Sequence, residues 1–135
     1  MSAERIVRRA RSLVGVPFRQ QGRDAAAALD CVGLILSVFA IPAEAVRRDY
    51  GPRGHRPDEV ESGLSRYFCR VSASERQPGD VMLCAIRKNQ LHLAIHCGGS
   101  FIHADSRARR VVETPGEPPW PVRAAFRRGV EHRSS

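Results

Sequence analysis

The chain has 135 residues, 42% hydrophobic and 27% charged, with a formal net charge of +8 and a pI near 10.6. That length suits one domain with a real core, and no run is long and apolar enough to cross a membrane as a helix. The positive charge points to polyanionic partners. However, the arginines are spread along the chain, Lys88 is the only lysine and aromatics make up 6%, so no dedicated nucleic-acid site is expected.

The opening stretch "MSAERIVRRARSLVGVPF" has no apolar h-region, so a Sec signal is not expected and synthesis is assigned to the cytoplasm. Ile6, Val7, Ala10, Leu13 and Val14 fall on one face of a helix predicted over 3–14, which "GVPF" ends. Residues 19–29 read as a loop. The apolar run from Cys31 to Ala40 predicts a central buried helix. Residues 41–57 are rich in Pro and Gly and predict an irregular excursion. A second helical stripe over 58–68 carries Val60, Leu64, Tyr67 and Phe68.

After "RQPGD" the pattern changes to short strands at 81–86, 91–97, 100–104, 109–113 and 122–126, separated by turn residues. Helices followed by a meander of antiparallel strands predict an α+β domain over residues 1–130, with a frayed tail at 131–135.

Cys31, Cys69, Cys84 and Cys97 form no C-x-x-C pair, which argues against a zinc ribbon or a thioredoxin-type motif. All four are expected as free thiols, with no metal and no cofactor. A cysteine inside an apolar run is usually a small buried hydrophobe, the reading given to Cys69, Cys84 and Cys97. Cys31 differs: it follows an acid at the first turn of a helix, where unpaired N–H groups favour a thiolate.

His55 and His132 sit in polar stretches, whereas His92, His96 and His103 lie in the strands. Strand alternation places His92, Ala94 and His96 on one face and Leu91, Leu93, Ile95 and Cys97 on the other. His92 and His96 lie roughly 13 Å apart along an extended strand, too far to share a metal. The "CGGS" turn folds the next strand back, so His103 comes near His92. A helix-start thiol with two imidazoles on a neighbouring hairpin suits nucleophilic catalysis: one imidazole takes the thiol proton and the other fixes its orientation. Periodicity alone leaves His92 and His96 equivalent as the base, and a core cysteine with structural histidines would leave the same pattern.

The wording of three segments narrows the choice. "VGVPFRQQGRDAAAALDCVGLI", "QPGDVML" and "HLAIHCGGSFIHA" resemble, in order, the opening, the "P-G-D" strand and the His hairpin of the NlpC-type cell-wall cysteine peptidases. The resemblance runs from about residue 4 to 113. It implies a papain-like fold with the nucleophile at the start of a central helix packed on a C-terminal antiparallel sheet. It assigns the nucleophile to Cys31, the base to His92 and the orienting residue to His103.

Val32 stands where the family often has Ser, Phe18 where it often has Tyr, and His96 in a place usually held by Tyr. The Cys31 backbone N–H is one oxyanion donor, and Gln20 or Gln21 is a candidate for another. Phe18 and Asp30 are further candidates for the substrate or oxyanion site, with helix capping the simpler role for Asp30.

The activity so implied is hydrolysis of an amide in peptidoglycan stem peptides, commonly the one joining D-Glu to a diamino acid. "PFRQQGRD" and "LDCVGL" look most like the phage and gene-transfer-agent branch. Phage-tail or particle proteins would then be partners, and the protein would be carried on a virion or particle and act in the periplasm. The same residues would also serve a thiol acyltransferase or amidase. A catalytically inactive tail-assembly protein is the non-enzymatic alternative.

Overall fold

The computed structural model describes residues 1–45, 57–87 and 90–129, with side chains of 57–60 excepted. His55, His132, the 131–135 tail, most of the 41–57 excursion and the Val60 side chain lie outside the described residues.

Helix α1 spans Ala3–Ser12 and begins where the Ser2 side chain accepts the Arg5 N–H at 3.1 Å. It buries Ile6, Val7 and Ala10 as the stripe predicts. It stops short of the predicted end because Gly15 takes φ +98°, leaving Val14 43% exposed rather than on the buried face.

The predicted loop at 19–29 contains two very short antiparallel strands, β1 (Arg23–Asp24) and β2 (Ala28–Leu29). Asp24 Oδ1 accepts the Ala26 N–H at 2.9 Å and closes the turn between them. Helix α2, Cys31–Val38, follows at once. Its residues Leu34, Ile35 and Val38 are almost fully buried, together with Phe39 just beyond it, as a helix apolar on all sides must be.

Helix α3 is Pro57–Ser65; Leu64 is buried on it, while Tyr67 and Phe68 fall in the turn after it.

The remaining strands are β3 (Cys69–Val71), β4 (Val81–Arg87), β5 (Gln90–His96), β6 (Ser100–Asp105), β7 (Arg110–Pro115) and β8 (Val122–Arg127). They form one six-stranded antiparallel sheet in the order β3-β8-β4-β5-β6-β7. This corrects the simple meander. After β7 the chain crosses to the far edge of β4, and β3, unforeseen, flanks β8. The reason is legible in β4: Val81, Met82, Leu83 and Cys84 are each 0% exposed, so this strand is covered on both faces and paired on both edges.

One sheet face, with Leu83, Leu93, Ile95, Ile102 and Phe126, packs with α1 and α2 into the main core. The other carries a smaller cluster of Met82, Cys84, Ala94 and Phe101, covered by Trp120 and Val122.

Two glycines seat the 19–30 segment on the first turn of α2. A Cβ on Gly33 would lie 2.0 Å from the Gly22 carbonyl oxygen, and one on Gly22 would lie 2.7 Å from the Ala28 carbonyl oxygen. Both obstacles are main chain. Gly33→Ala is therefore expected to destabilise beyond the ~1–3 kcal/mol of ordinary overpacking. A urea melt reads this directly, and an unchanged midpoint would show that the segment is not seated so tightly.

Candidate active site

Cys31 is the first residue of α2, and the side chain of Asp30 caps that helix by accepting the Gly33 N–H at 2.8 Å. The other Asp30 oxygen accepts the main-chain N–H of Gln21 at 2.9 Å. Gln21 takes φ +65°, an uncommon conformation for a non-glycine residue, and turns the chain there. Of the two glutamines left open by sequence, Gln20 lines the cleft beside Cys31; Gln21 serves the turn. Phe18 also lines the cleft, held by bridges from Pro17 to Arg110 and from Phe18 to Leu29.

This cleft has a volume of about 560 Å³, and its walls include Cys31, His92 and His103. His92 Nε2 and His103 Nδ1 are 2.8 Å apart, a hydrogen bond between two half-buried or buried rings. The ladder between β5 and β6 explains the opening. Its pairs are Ile95 with Ile102 and His96 with Phe101, beside the turn, and the ladder ends there. In a continued register Leu93 would lie opposite Ala104. Instead, the Leu93 N–H bears on the Cys31 sulfur. The thiol thus sits where the two strands part.

His96 shares the His92 strand face but does not line the cleft. It is buried near Asp80 and the Arg76–Glu117 ion pair. The structure thereby separates two histidines that alternation could not. Cys84 is fully buried in the small cluster, Cys97 packs against the main core and Cys69 sits half-buried on the outer strand β3. None of the three lines the cleft.

The electrostatics correct one expectation. Burial first, then the Asp30 carboxylate, pushes the Cys31 thiol up to about 12, against the lowering effect of the N–H groups of Leu93, Val32 and Cys31. The helix terminus does not hold a free thiolate, because burial and the charge of the neighbouring Asp30 carboxylate outweigh its N–H groups. Burial, then the neighbouring His103, pulls His92 down to about 3, while Asp105 acts in the opposite sense. His103 is also lowered, mainly by burial, and again opposed by Asp105. At rest the cleft holds a neutral thiol and a neutral imidazole.

These shifts carry a sign for stability. A histidine whose folded pKa lies below its unfolded value binds its proton preferentially in the unfolded chain, so stability falls as pH drops below about 6.5. For His92 the loss continues toward pH 3, where the folded protein also protonates. From pH 6.5 to 5 it amounts to about 2 kcal/mol. Urea melts at those two pH values should show the loss in the native chain and a smaller one in His92→Gln.

Sequence reasoning passed over Trp120 and Asp105. The Trp120 ring centroid lies 5.1 Å from His92, 5.5 Å from His103 and 6.2 Å from Phe101, all edge-on, so the indole covers the bonded imidazoles. It sits in "TPGEPPWP", which reads only as turn punctuation. Asp105, two residues beyond His103, lies on the same strand face by alternation and opposes the lowering of both imidazoles.

A cysteine heading a helix packed on an antiparallel sheet, with an imidazole pair on the adjoining strands, defines a papain-like α+β protein. The sequence profile of the NlpC/P60 family matches residues 15–126, and the chain belongs to that family.

Its fold is similar to the NlpC/p60 domain of the peptidoglycan hydrolase SagA, at 24% identity and TM-score 0.59, covering 85% of this chain and 90% of that one. It is also similar to the peptidoglycan hydrolase RipB from Mycobacterium tuberculosis, at 22% identity and TM-score 0.63, covering 93% of this chain and 63% of that one. RipD from the same organism, described as a non-catalytic NlpC/p60 domain protein adapted to peptidoglycan binding, matches at 16% identity and TM-score 0.60, covering 93% of this chain and 95% of that one. No curated protein sequence matches significantly.

Proposed function

We propose that the chain is a cysteine peptidase that hydrolyses an amide of peptidoglycan stem peptides, the one joining D-Glu to a diamino acid. The observation that carries this reading is the His92–His103 hydrogen bond of 2.8 Å in the cleft that also holds Cys31. With Nε2 of His92 engaged by His103, Nδ1 is the nitrogen left for the thiol. For Nδ1 to accept a proton, the His92 hydrogen must sit on Nε2 and be donated to His103 Nδ1. His103 thus sets the tautomer that a base requires.

His92 takes the Cys31 proton as the sulfur attacks the amide carbonyl. The oxyanion forms near the Cys31 N–H and the Gln20 side chain. Collapse breaks the C–N bond, and His92 returns the proton to the leaving amine. A water, deprotonated by His92, then cleaves the thioester and frees the acid. Asp105 favours the imidazolium that appears in each half of the cycle.

A binding-only role such as that described for RipD would leave the cysteine and the bonded imidazoles without a use. The wording of residues 17–34 supports the phage and gene-transfer-agent branch, and with it synthesis in the cytoplasm and delivery to the periplasm by a particle. The deciding experiment is mass spectrometry of muropeptides digested with the native chain and with Cys31→Ala. New free amines on the diamino acid, made by the native chain alone, are expected. Acyl transfer without hydrolysis products would point to an acyltransferase on the same fold.

A further inference from the structure

The cleft that holds Cys31 and His92 is also lined by Arg87, the last residue of β4, and by Arg107, in the turn between β6 and β7. Elsewhere Arg11, Arg70, Arg76 and Arg127 each have a carboxylate partner and Arg9 donates to the carbonyls of Ser37 and Val38, while Arg66 and Arg123, outside the cleft, have no ion pair among the described residues. Both cleft arginines are exposed, and neither guanidinium has an ion pair or hydrogen bond among the described residues.

The carboxylates in the same cleft are otherwise engaged. Asp30 is buried and accepts the N–H groups of Gly33 and Gln21. Asp105 accepts the main-chain N–H of Arg107 and lies toward the imidazole pair. The cleft that holds the nucleophile therefore keeps two exposed guanidinium forks on its wall, and a planar fork is matched to a carboxylate.

We infer that Arg87 and Arg107 form a carboxylate-recognition site, which selects substrates with a free carboxylate next to the scissile amide. The inference rests on the peptidase reading and adds a specificity to it. A D-Glu residue joined through one of its carboxyls keeps the other free, so the proposed bond presents such a group. The contact is made at the mouth of the cleft and weakens with salt.

The test uses two capped D-Glu–diamino acid peptides that differ only in the Glu group not in the chain, a carboxylate in one and a carboxamide in the other. Binding is measured by calorimetry to Cys31→Ala, which does not cleave, and turnover with the native chain. The acid peptide should bind about 10-fold tighter, with the difference shrinking at high salt. Arg87→Gln with Arg107→Gln in the Cys31→Ala background should erase the preference, and Arg107→Glu should reverse it.

Failure of the acid peptide to bind, equal binding of both peptides, or a preference that survives the double substitution overturns the site. If both peptides bind and are cut equally, the carboxylate site falls and the peptidase reading stands. If binding discriminates but the native chain cuts neither, the peptidase reading falls and the site stands.

Discussion

Cys31→Ala and Cys31→Ser should each abolish hydrolysis, while circular dichroism and the urea midpoint stay close to those of the native chain. Cys31 is the only cysteine on the cleft wall, and its sulfur sits where β5 and β6 part, against the Leu93 N–H. Serine keeps the shape but replaces the thiol with a hydroxyl that His92 cannot activate to the same degree. Loss of the nucleophile from a linked set typically removes about 10⁶-fold of kcat in comparable hydrolases. Cys69→Ala and Cys84→Ala provide the contrast. Cys84→Ala should lower stability, because Cys84 is fully buried, yet leave turnover in the folded fraction unchanged. Activity lost in either of these variants and kept in Cys31→Ala would remove Cys31 from the mechanism.

His92→Ala should cost about 10²–10⁴-fold in kcat, the usual contribution of a positioned general base. His103→Ala should cost less, because Cys31 and His92 remain but the Nε2 partner at 2.8 Å is gone and the tautomer is no longer set. His103→Gln, whose side-chain oxygen can accept the same hydrogen, should recover part of the loss. His96→Gln should leave kcat nearly unchanged, since His96 lies beside Asp80 and the Arg76–Glu117 pair rather than on the cleft. The pH profile separates orientation from simple destabilisation. With His103 replaced, His92 loses the neighbour whose charge lowers it, and the acid limb of kcat/KM should move upward. An active His92→Ala with an inactive, folded His96→Gln would overturn the assignment.

Much of this arrangement was legible from the residues because the local signals are strong. The Asp30 cap, the stripe of Ile6, Val7 and Ala10, and the alternation through Leu91, Leu93 and Ile95 each follow from neighbours a few positions away. What was missed depends on distant partners. Nothing between Glu113 and Val122 says that β8 will pair with β4 instead of β7. The Cys69–Val71 strand continues from a helical stripe and exists because β8 has a free edge. The early end of the β5–β6 ladder, which makes room for the thiol, leaves no trace in alternation. The raised thiol has the same origin: Asp30 was read as a cap, and its charge beside a half-buried cysteine emerges only once the helix is seated on the sheet.

Trp120 is the chain's single tryptophan, and it lies edge-on against both imidazoles. Indole emission from this protein therefore originates at one place, beside the reacting groups, with no background from elsewhere in the fold. A charged imidazole in contact with an indole drains its excited state, so emission intensity follows the protonation of the pair without any label. The native chain carries its own optical gauge of the catalytic centre, one that can be read during acid titration, alkylation of Cys31 or stopped-flow mixing with wall fragments.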